Sequence, residues 1–336
     1  MPGYNENIHV HLLTRLAPKT STVSQYLSAL LWIFQARRSV KKIKPDIVDG
    51  HFITSYGFLA ACSGFHPLVV SAWGSDVLIF PKRNPFFKSL TRYALTKADI
   101  VSCDSEVARE GLMKLGVEQA KIRVIFKGVD TQQFSPQHRS QELREKLGIY
   151  EAPTVISIRN LEPIYNVEML IRAIPLALSQ VPEAKFIIGG DGSLRTVLTN
   201  LAGSLGVSDS IRFVGWVSHD ELPQLLASSD IYVSTSLSDT SHISLQEAMA
   251  CELAPVVTDI PANRAWIEDG KNGFLVSIGD TQLLADKIVY LIRNKQVQEE
   301  FAKANRQIIQ QRDEYEKEMA KMETIYGALK QGTVPS

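Results

Sequence analysis

Between residues 231 and 259 the chain reads IYVSTSLSDTSHISLQEAMACELAPVVTD: a β-branched run, a loop of hydroxyls and small polar residues, a helical pattern and a second apolar run. Where a strand feeds a helix through such a loop, the first-turn amides lack partners within the helix and the positive end of its dipole faces outward, which attracts an anion. Ser241, His242, Ile243 and Ser244 are therefore candidates to hold a diphosphate. Two carboxylates bracket the loop, Asp239 within it and Glu247 in the first turns of the helix, with seven residues between them. An ionised carboxylate accepts hydrogen bonds from vicinal hydroxyls, so Glu247 suits a ribose and Asp239 a sugar ring beyond the phosphates. The helix N-terminus is expected to keep Glu247 ionised. Ser244-x-x-Glu247 also fits a capping box, whose task is only to satisfy orphan amides; the spacing alone leaves both readings open.

Positioning such a loop takes a parallel sheet. Short β-branched runs alternate with longer helical patterns along the whole chain, as repeated βαβ units do. Strands are predicted at Ile8–Leu13, Asp46–Val48, Leu68–Ser71, Asp99–Ser102 and Arg123–Phe126, with helices such as Ser21–Lys44 and Ser105–Leu115 between them. They recur at Thr154–Ile158, Lys185–Gly189, Arg212–Val214, Ile231–Ser234, Pro255–Thr258 and Phe274–Val276. Two sheets follow, hence two α/β domains. Thr131–Tyr150 is polar, contains Pro136 and lacks a strand, so the boundary is placed near 131–152, with domains at 1–135 and 150–312. Tyr315, Met319, Met322, Ile325, Tyr326 and Leu329 recur at helical intervals, so a final helix over 313–330 is expected to pack back on the first domain.

Composition agrees with a folded chain: 336 residues, 45% apolar, 36 Lys+Arg against 36 Asp+Glu. The neutral total conceals an asymmetry, since residues 1–150 carry 20 basic and 12 acidic residues and the remainder 16 and 24. A basic first half suits an anionic surface or a phosphate-bearing acceptor better than nucleic acid, although scattered surface charge gives the same count. Cys62, Cys103 and Cys251 are widely spaced, which fits neither a disulfide framework nor a zinc site. No segment approaches the ~20 apolar residues of a membrane span, and no leader-like segment opens the chain, so a cytoplasmic protein is expected. Leu27, Leu30, Leu31, Ile33 and Phe34 precede Arg37, Arg38, Lys41, Lys42 and Lys44 in the first long helix. This pattern reads either as a helix packed on its sheet or as one lying on the inner face of a membrane.

Glu247-Ala-Met-Ala-Cys251 after Asp239, followed by the strand Pro255-Val-Val257, resembles the signature of the retaining nucleotide-sugar glycosyltransferases of family four. The resemblance covers about residues 8–328. It implies the GT-B fold, two Rossmann-like doubly wound domains facing across a cleft. Asp239 stands where the family's first Glu is usual, and Glu252 where it usually has Gly; a side chain there costs about 1 kcal/mol if the helix ends in left-handed geometry. Arg159, in ISIRNLEPIYNVEMLI, matches the Arg that the family places after the first strand of its second domain, implying a guanidinium that holds the diphosphate and stabilises the leaving group. The family's nearby Lys is replaced by Tyr165 or Asn166. Gly190, in GGDGS, and Gly215-Trp216 match turns that close on the nucleotide and read the base. In the first domain, His51, Gly74 and Asp76 resemble the acceptor side; His51 reads equally as a hydrogen-bonded histidine without a chemical role.

The resemblance implies transfer of a sugar from a UDP- or GDP-linked donor to a glycan or lipid-linked acceptor hydroxyl, in polysaccharide synthesis. It implies no cofactor and no metal, Arg159 and the loop amides replacing a cation. Relatives open with a strand, a glycine loop, a helix and a second strand before the segment matching Ile8–Leu13. Their absence here, with Glu252 and the lost lysine, motivates an alternative, a non-catalytic nucleotide-sugar-binding or scaffold relative; a GT-B nucleotide-sugar epimerase is a third. First-strand GxGxxG and Walker motifs are missing, which disfavours a dehydrogenase or P-loop enzyme.

Overall fold

The computed structural model describes residues 22–333; the strand expected at Ile8–Leu13 lies outside them. The contact pattern divides the chain into two units. The first comprises Met1–Val124 and Glu323–Ser336, the second Ile125–Met322.

In the first unit, α1 (Thr22–Ile43) leads to β1 (Val48–His51), α2 (Phe58–Ser63), β2 (Leu68–Ala72), the short α3 (Ser75–Leu78) and α4 (Phe80–Arg83), α5 (Pro85–Lys97), β3 (Ile100–Cys103), α6 (Glu106–Lys114) and β4 (Ile122–Val124). The described strands pair in parallel in the order β1-β2-β3-β4. β2 and β3 are buried at every position, as parallel strands covered on both faces must be. Helix starts follow the capping rules: Asn84 accepts from the Phe87 amide at 3.0 Å with Pro85 at the first helical position, and Ser105 accepts from the Ala108 amide at 3.2 Å.

In the second unit, α7 (Gln141–Lys146) precedes β5 (Thr154–Ile158), α8 (Val167–Leu178), β6 (Lys185–Gly189), α9 (Arg195–Ser204), β7 (Ile211–Gly215), α10 (Leu222–Ala227), β8 (Ile231–Ser234), α11 (Ile243–Ala250), β9 (Ala254–Thr258), α12 (Pro261–Arg264), β10 (Phe274–Val276), α13 (Thr281–Arg293) and α14 (Lys295–Arg312). The sheet order is β10-β9-β8-β5-β6-β7, all parallel. Chain order reverses between β5 and β8, the switch point where the carboxyl ends of strands leave a crevice for a ligand. Alternation assigns side chains to two layers: Val155, Phe186, Ile188, Ile231, Val233 and Val256 pack with α8 and α13, whereas Ile156, Ile187, Tyr232 and Val257 pack with α10 and α11. A last helix, α15 (Tyr315–Lys330), follows.

The expected boundary at 131–152 moves to Val124–Ile125. The polar composition of that stretch concealed Val129, Phe134 and Ile149, all buried in the second unit's core. Arg144 is buried there too, donating to the carbonyls of Tyr150 (2.7 Å), Ser228 (2.7 Å) and Ala152 (2.9 Å). From Glu323 onward α15 belongs to the first unit, where Ile325 and Leu329 are buried and the Tyr326 hydroxyl donates to Asp49 at 2.6 Å. The three cysteines are buried and unbonded to one another.

Candidate active site

The carboxyl ends of β5, β6 and β8 bring the candidate residues of the second unit together. Arg159 follows β5, and its amide donates to the Gly189 carbonyl at 3.1 Å. Gly190 follows β6 with φ +121°, and its amide donates to the Gly215 carbonyl at 2.6 Å. A Cβ on Gly190 would lie 2.1 Å from the Arg159 carbonyl oxygen, so glycine is what lets these two loops stack.

The Arg159 guanidinium has a side chain 9% exposed and is held on each nitrogen. Nε and Nη2 donate to Ser236 Oγ at 3.2 and 3.1 Å, Nη1 donates to Ser244 Oγ at 3.3 Å, and Nη2 pairs with the Asp239 carboxylate. Its carbon lies 4.6 Å from the centroid of the Tyr165 ring, a cation–π contact. Tyr165 and Trp216, with Ile243, Ser244 and Glu247, line a cavity of about 240 Å³ beside Arg159. Trp216 is 73% exposed, at its lip.

Glu247 lies in the second turn of α11 with its side chain 8% exposed. Burial pushes its carboxyl up to about 7, against the opposing pull of Lys127 and Arg159. Burial therefore works against the ionised state expected from the place of Glu247 near the helix N-terminus. It also borders a second cavity of about 360 Å³, lined by Lys127, Gly128, Gln133, Phe134 and His219 among others. Gln133 Nε2 donates to His219 Nδ1 at 3.2 Å, which leaves Nε2 of His219, 3.7 Å from Glu247, to carry the proton. The capping box does not form, because α11 already begins at Ile243, which puts Ser244 within the helix and not at its N-cap, and the Ser244 hydroxyl is engaged by Arg159 and Tyr232.

The loop residues divide. Ser241 is 8% exposed and its hydroxyl has no hydrogen-bond partner among the described residues. Ile243 and Ser244 line the cavity. His242 does not: its ring is fully buried, between Tyr232 and Asn263, which corrects its assignment to ligand contact. Asn166 is corrected likewise. It adopts a left-handed turn (φ +47°) before α8, its carbonyl accepts from the Thr235 hydroxyl at 2.8 Å, and the cavity is lined by Tyr165 instead. Gly215 serves the loop through its carbonyl and positive φ (+75°). Of the two residues offered for the family's lysine position, Tyr165 is the one that lines the cavity, and Lys127, Gln133 and His219, which the spacing did not mark, line the cavity on the other side of Glu247.

The helix end at Glu252 is left-handed (φ +62°), and the Leu253 amide donates to Ala248 at 3.0 Å while the Glu252 amide donates to Met249 at 3.1 Å, a Schellman closure built on a non-glycine residue. Arg306 donates to the Ala250, Phe134 and Thr131 carbonyls and secures that end.

In the first unit, Asp76 is fully buried and accepts from the amides of Ile53 (2.8 Å) and Trp73 (3.0 Å), bracing the turns after β1 and β2. Burial raises its carboxyl. Its acceptor-side assignment is corrected accordingly. Gly74, at φ +99°, forms the turn. His51 is exposed; its Nδ1 accepts from the Trp73 indole at 3.2 Å, and its Nε2 lies 3.7 Å from Asp49. Among the described residues no three His, Cys, Asp or Glu side chains converge as metal ligands would, and no helix is long and apolar enough to cross a membrane.

A strand–loop–helix site at the switch point of a parallel sheet is a place where an α/β fold can receive an anionic ligand. Residues 139–308 match the family of glycosyl transferases group 1, and residues 3–105 match glycosyl transferase 4-like sequences; the chain belongs to the group 1 glycosyl transferases. It is 29% identical over 283 residues to the sulfoquinovosyl transferase SQD2 of Arabidopsis thaliana, which spans 80% of this chain and 54% of that protein. It is 25% identical over 260 residues to the N-acetyl-alpha-D-glucosaminyl L-malate synthase of Bacillus anthracis, 77% of this chain and 67% of that one. The chain therefore spans little more than half the length of the plant relative. Its fold is that of Anabaena Alr3699/HepE, solved in complex with UDP and glucose, with a TM-score of 0.80, 23% identity, and coverage of 92% and 84% of the two chains.

Proposed function

We propose that the chain is a retaining glycosyltransferase that moves a hexose from a UDP- or GDP-linked donor to a hydroxyl of a glycan or lipid-linked acceptor, in cell-surface polysaccharide or glycolipid synthesis. The observation that carries this reading is the Arg159 guanidinium, stacked on Tyr165 and hydrogen-bonded along its fork, beside the first turn of α11 in the cavity that Ile243, Ser244 and Glu247 line. Fixed donors around one small volume suit the charge that develops on a departing diphosphate. Asp239 would position the donor sugar and Glu247 the ribose. The bond from the anomeric carbon to the diphosphate oxygen breaks, the acceptor oxygen bonds to the same carbon on the same face, and the acceptor proton passes to the diphosphate. Arg159 and the loop amides supply the positive charge, so turnover is expected to persist in EDTA.

Product formation from a panel of UDP- and GDP-sugars with polyprenyl-linked and glycan acceptors tests the reading. Nucleotide binding without turnover under any acceptor would instead support a binding relative.

We propose further that the first unit meets an anionic membrane surface. Leu30 and Phe34 of α1 are 64% and 61% exposed, Tyr56 is 65% and Phe86 of α5 59%. From Lys82 to Lys97 the chain carries Lys82, Arg83, Lys88, Arg92 and Lys97 with no acidic residue. α1 and α5 both pack on α2, and exposed apolar side chains beside basic ones are what an interfacial surface presents. Co-sedimentation with phosphatidylglycerol vesicles, lost on Phe86→Ser together with Arg83→Glu, is the expected result; equal binding to neutral phosphatidylcholine vesicles refutes it.

A further inference from the structure

A chain of hydrogen bonds in the second unit has proton positions that can be assigned one after another. Asn263 Nδ2 donates to the Thr258 carbonyl at 2.7 Å, so the amide oxygen of Asn263 is the atom that faces His242 Nδ1, and that nitrogen must carry a proton. In the neutral ring Nε2 is then the acceptor, and it takes the hydrogen of the Tyr232 hydroxyl, 3.2 Å away. With its own hydrogen committed, Tyr232 Oη accepts from Ser244 Oγ at 2.8 Å. Ser244 has given its hydrogen inward and offers only lone pairs outward, where Arg159 Nη1 donates to it at 3.3 Å. Tyr232, His242 and Asn263 are all fully buried. A second proton on the imidazole would reverse this polarity and put a charge in the core; burial and Arg159 hold His242 down at about 3.

We infer that Tyr232, His242 and Asn263 are positioning residues for Arg159: they make Ser244 a one-way acceptor that anchors the Nη1 edge of the guanidinium and donates nothing to a bound diphosphate. The inference rests on the proposed role of Arg159 toward the leaving group and deepens that site. A serine free to turn would offer its hydrogen to Asp239 or to a ligand oxygen and release the guanidinium edge. Diphosphate recognition then falls to Arg159, the Ser241 hydroxyl and the loop amides.

Two measurements test it. In ¹⁵N-labelled protein, His242 is expected to show the Nδ1–H tautomer with no titration from about pH 5 to 8; an Nε2–H tautomer, or a titration in that range, overturns the chain. In steady-state kinetics, Tyr232→Phe is expected to lower kcat roughly tenfold with the donor KM changed less than about twofold, since the anchored charge acts chiefly in the transition state. The same substitution in a Ser244→Ala background is expected to have no further effect. Additive effects, or a lowered melting temperature with kcat unchanged, overturn the positioning role. A wild-type chain that binds neither UDP nor GDP overturns the donor assignment itself, a failure distinct from a wrong tautomer, which leaves that assignment intact.

Discussion

Replacing Glu247 by Gln is expected to stabilise the protein and weaken nucleotide binding, both in a pH-dependent way. Burial raises this carboxyl from 4.5 to about 7, so between those values the folded state binds more protons than the unfolded chain and stability falls as pH rises. The penalty is absent below 4.5, grows through 7 and is complete above it. At 1.36 kcal/mol per unit it reaches about 3 kcal/mol, and because the side chain is only 8% exposed, solvent screening discounts it little. Gln is isosteric and uncharged, so Glu247→Gln should be about 1–3 kcal/mol more stable than wild type at pH 8 and nearly equal to it at pH 4.5. Asp313, also raised to about 7 by burial, contributes the same slope to both proteins and cancels in the difference. The ribose interaction runs the other way. A carboxylate accepting vicinal hydroxyls is worth about 1–3 kcal/mol more than an amide, so UDP or GDP affinity at pH 8 should drop about tenfold or more, with the gap closing at pH 5 where wild-type Glu247 is itself neutral. Urea unfolding at the two pH values and calorimetric titration with each nucleotide check both halves. A Glu247→Gln protein less stable than wild type at pH 8, or an affinity loss equal at pH 5 and pH 8, refutes the reasoning.

Three further outcomes are expected. Arg159→Lys keeps the charge but replaces the fork that meets Ser236, Ser244 and Asp239, and the stack on Tyr165, with one ammonium; kcat should fall about a hundredfold or more in steady-state assays, and a change confined to KM would argue against leaving-group stabilisation. Gly190→Ala places a Cβ 2.1 Å from the Arg159 carbonyl at φ +121° and should cost about 2 kcal/mol or more in chemical denaturation. Glu252→Gly relieves the left-handed end of α11 and loses only a 3.9 Å contact with Arg306, so a gain of about 0.5–1 kcal/mol is expected in melting experiments with turnover unaffected.

The second sheet was legible because its strands are short β-branched runs with turn residues on either side: β5, β6, β8 and β10 begin and end where the sequence predicts them. β1 was less so, since Val48–His51 extends into polar residues that its apolar pattern does not mark. The interval from Asp239 to Glu247 located the loop and the helix, but not the direction in which each loop side chain turns. His242 lies in the loop that feeds the helix start and is expected from that position to face a ligand; it turns inward because Asn263, twenty-one residues on, offers a buried acceptor. The burial that raises Glu247 escapes the sequence for a related reason: its spacing marks the helix end, but not the other segments that cover it. Lys127 and His219 reach Glu247 from distant turns, and no spacing rule connects them.

β8 supplies Ile231 and Val233 to one layer of the core and Tyr232 to the other. The hydroxyl that reaches Ser244 is thus selected by the phase of a strand otherwise made of aliphatic side chains and one terminal serine. Sliding β8 by a single position against β5 and β9 would offer a methyl group in its place. Lesions that loosen this seating, far from any ligand atom, should therefore surface in the enzymology before they surface in the melting curve.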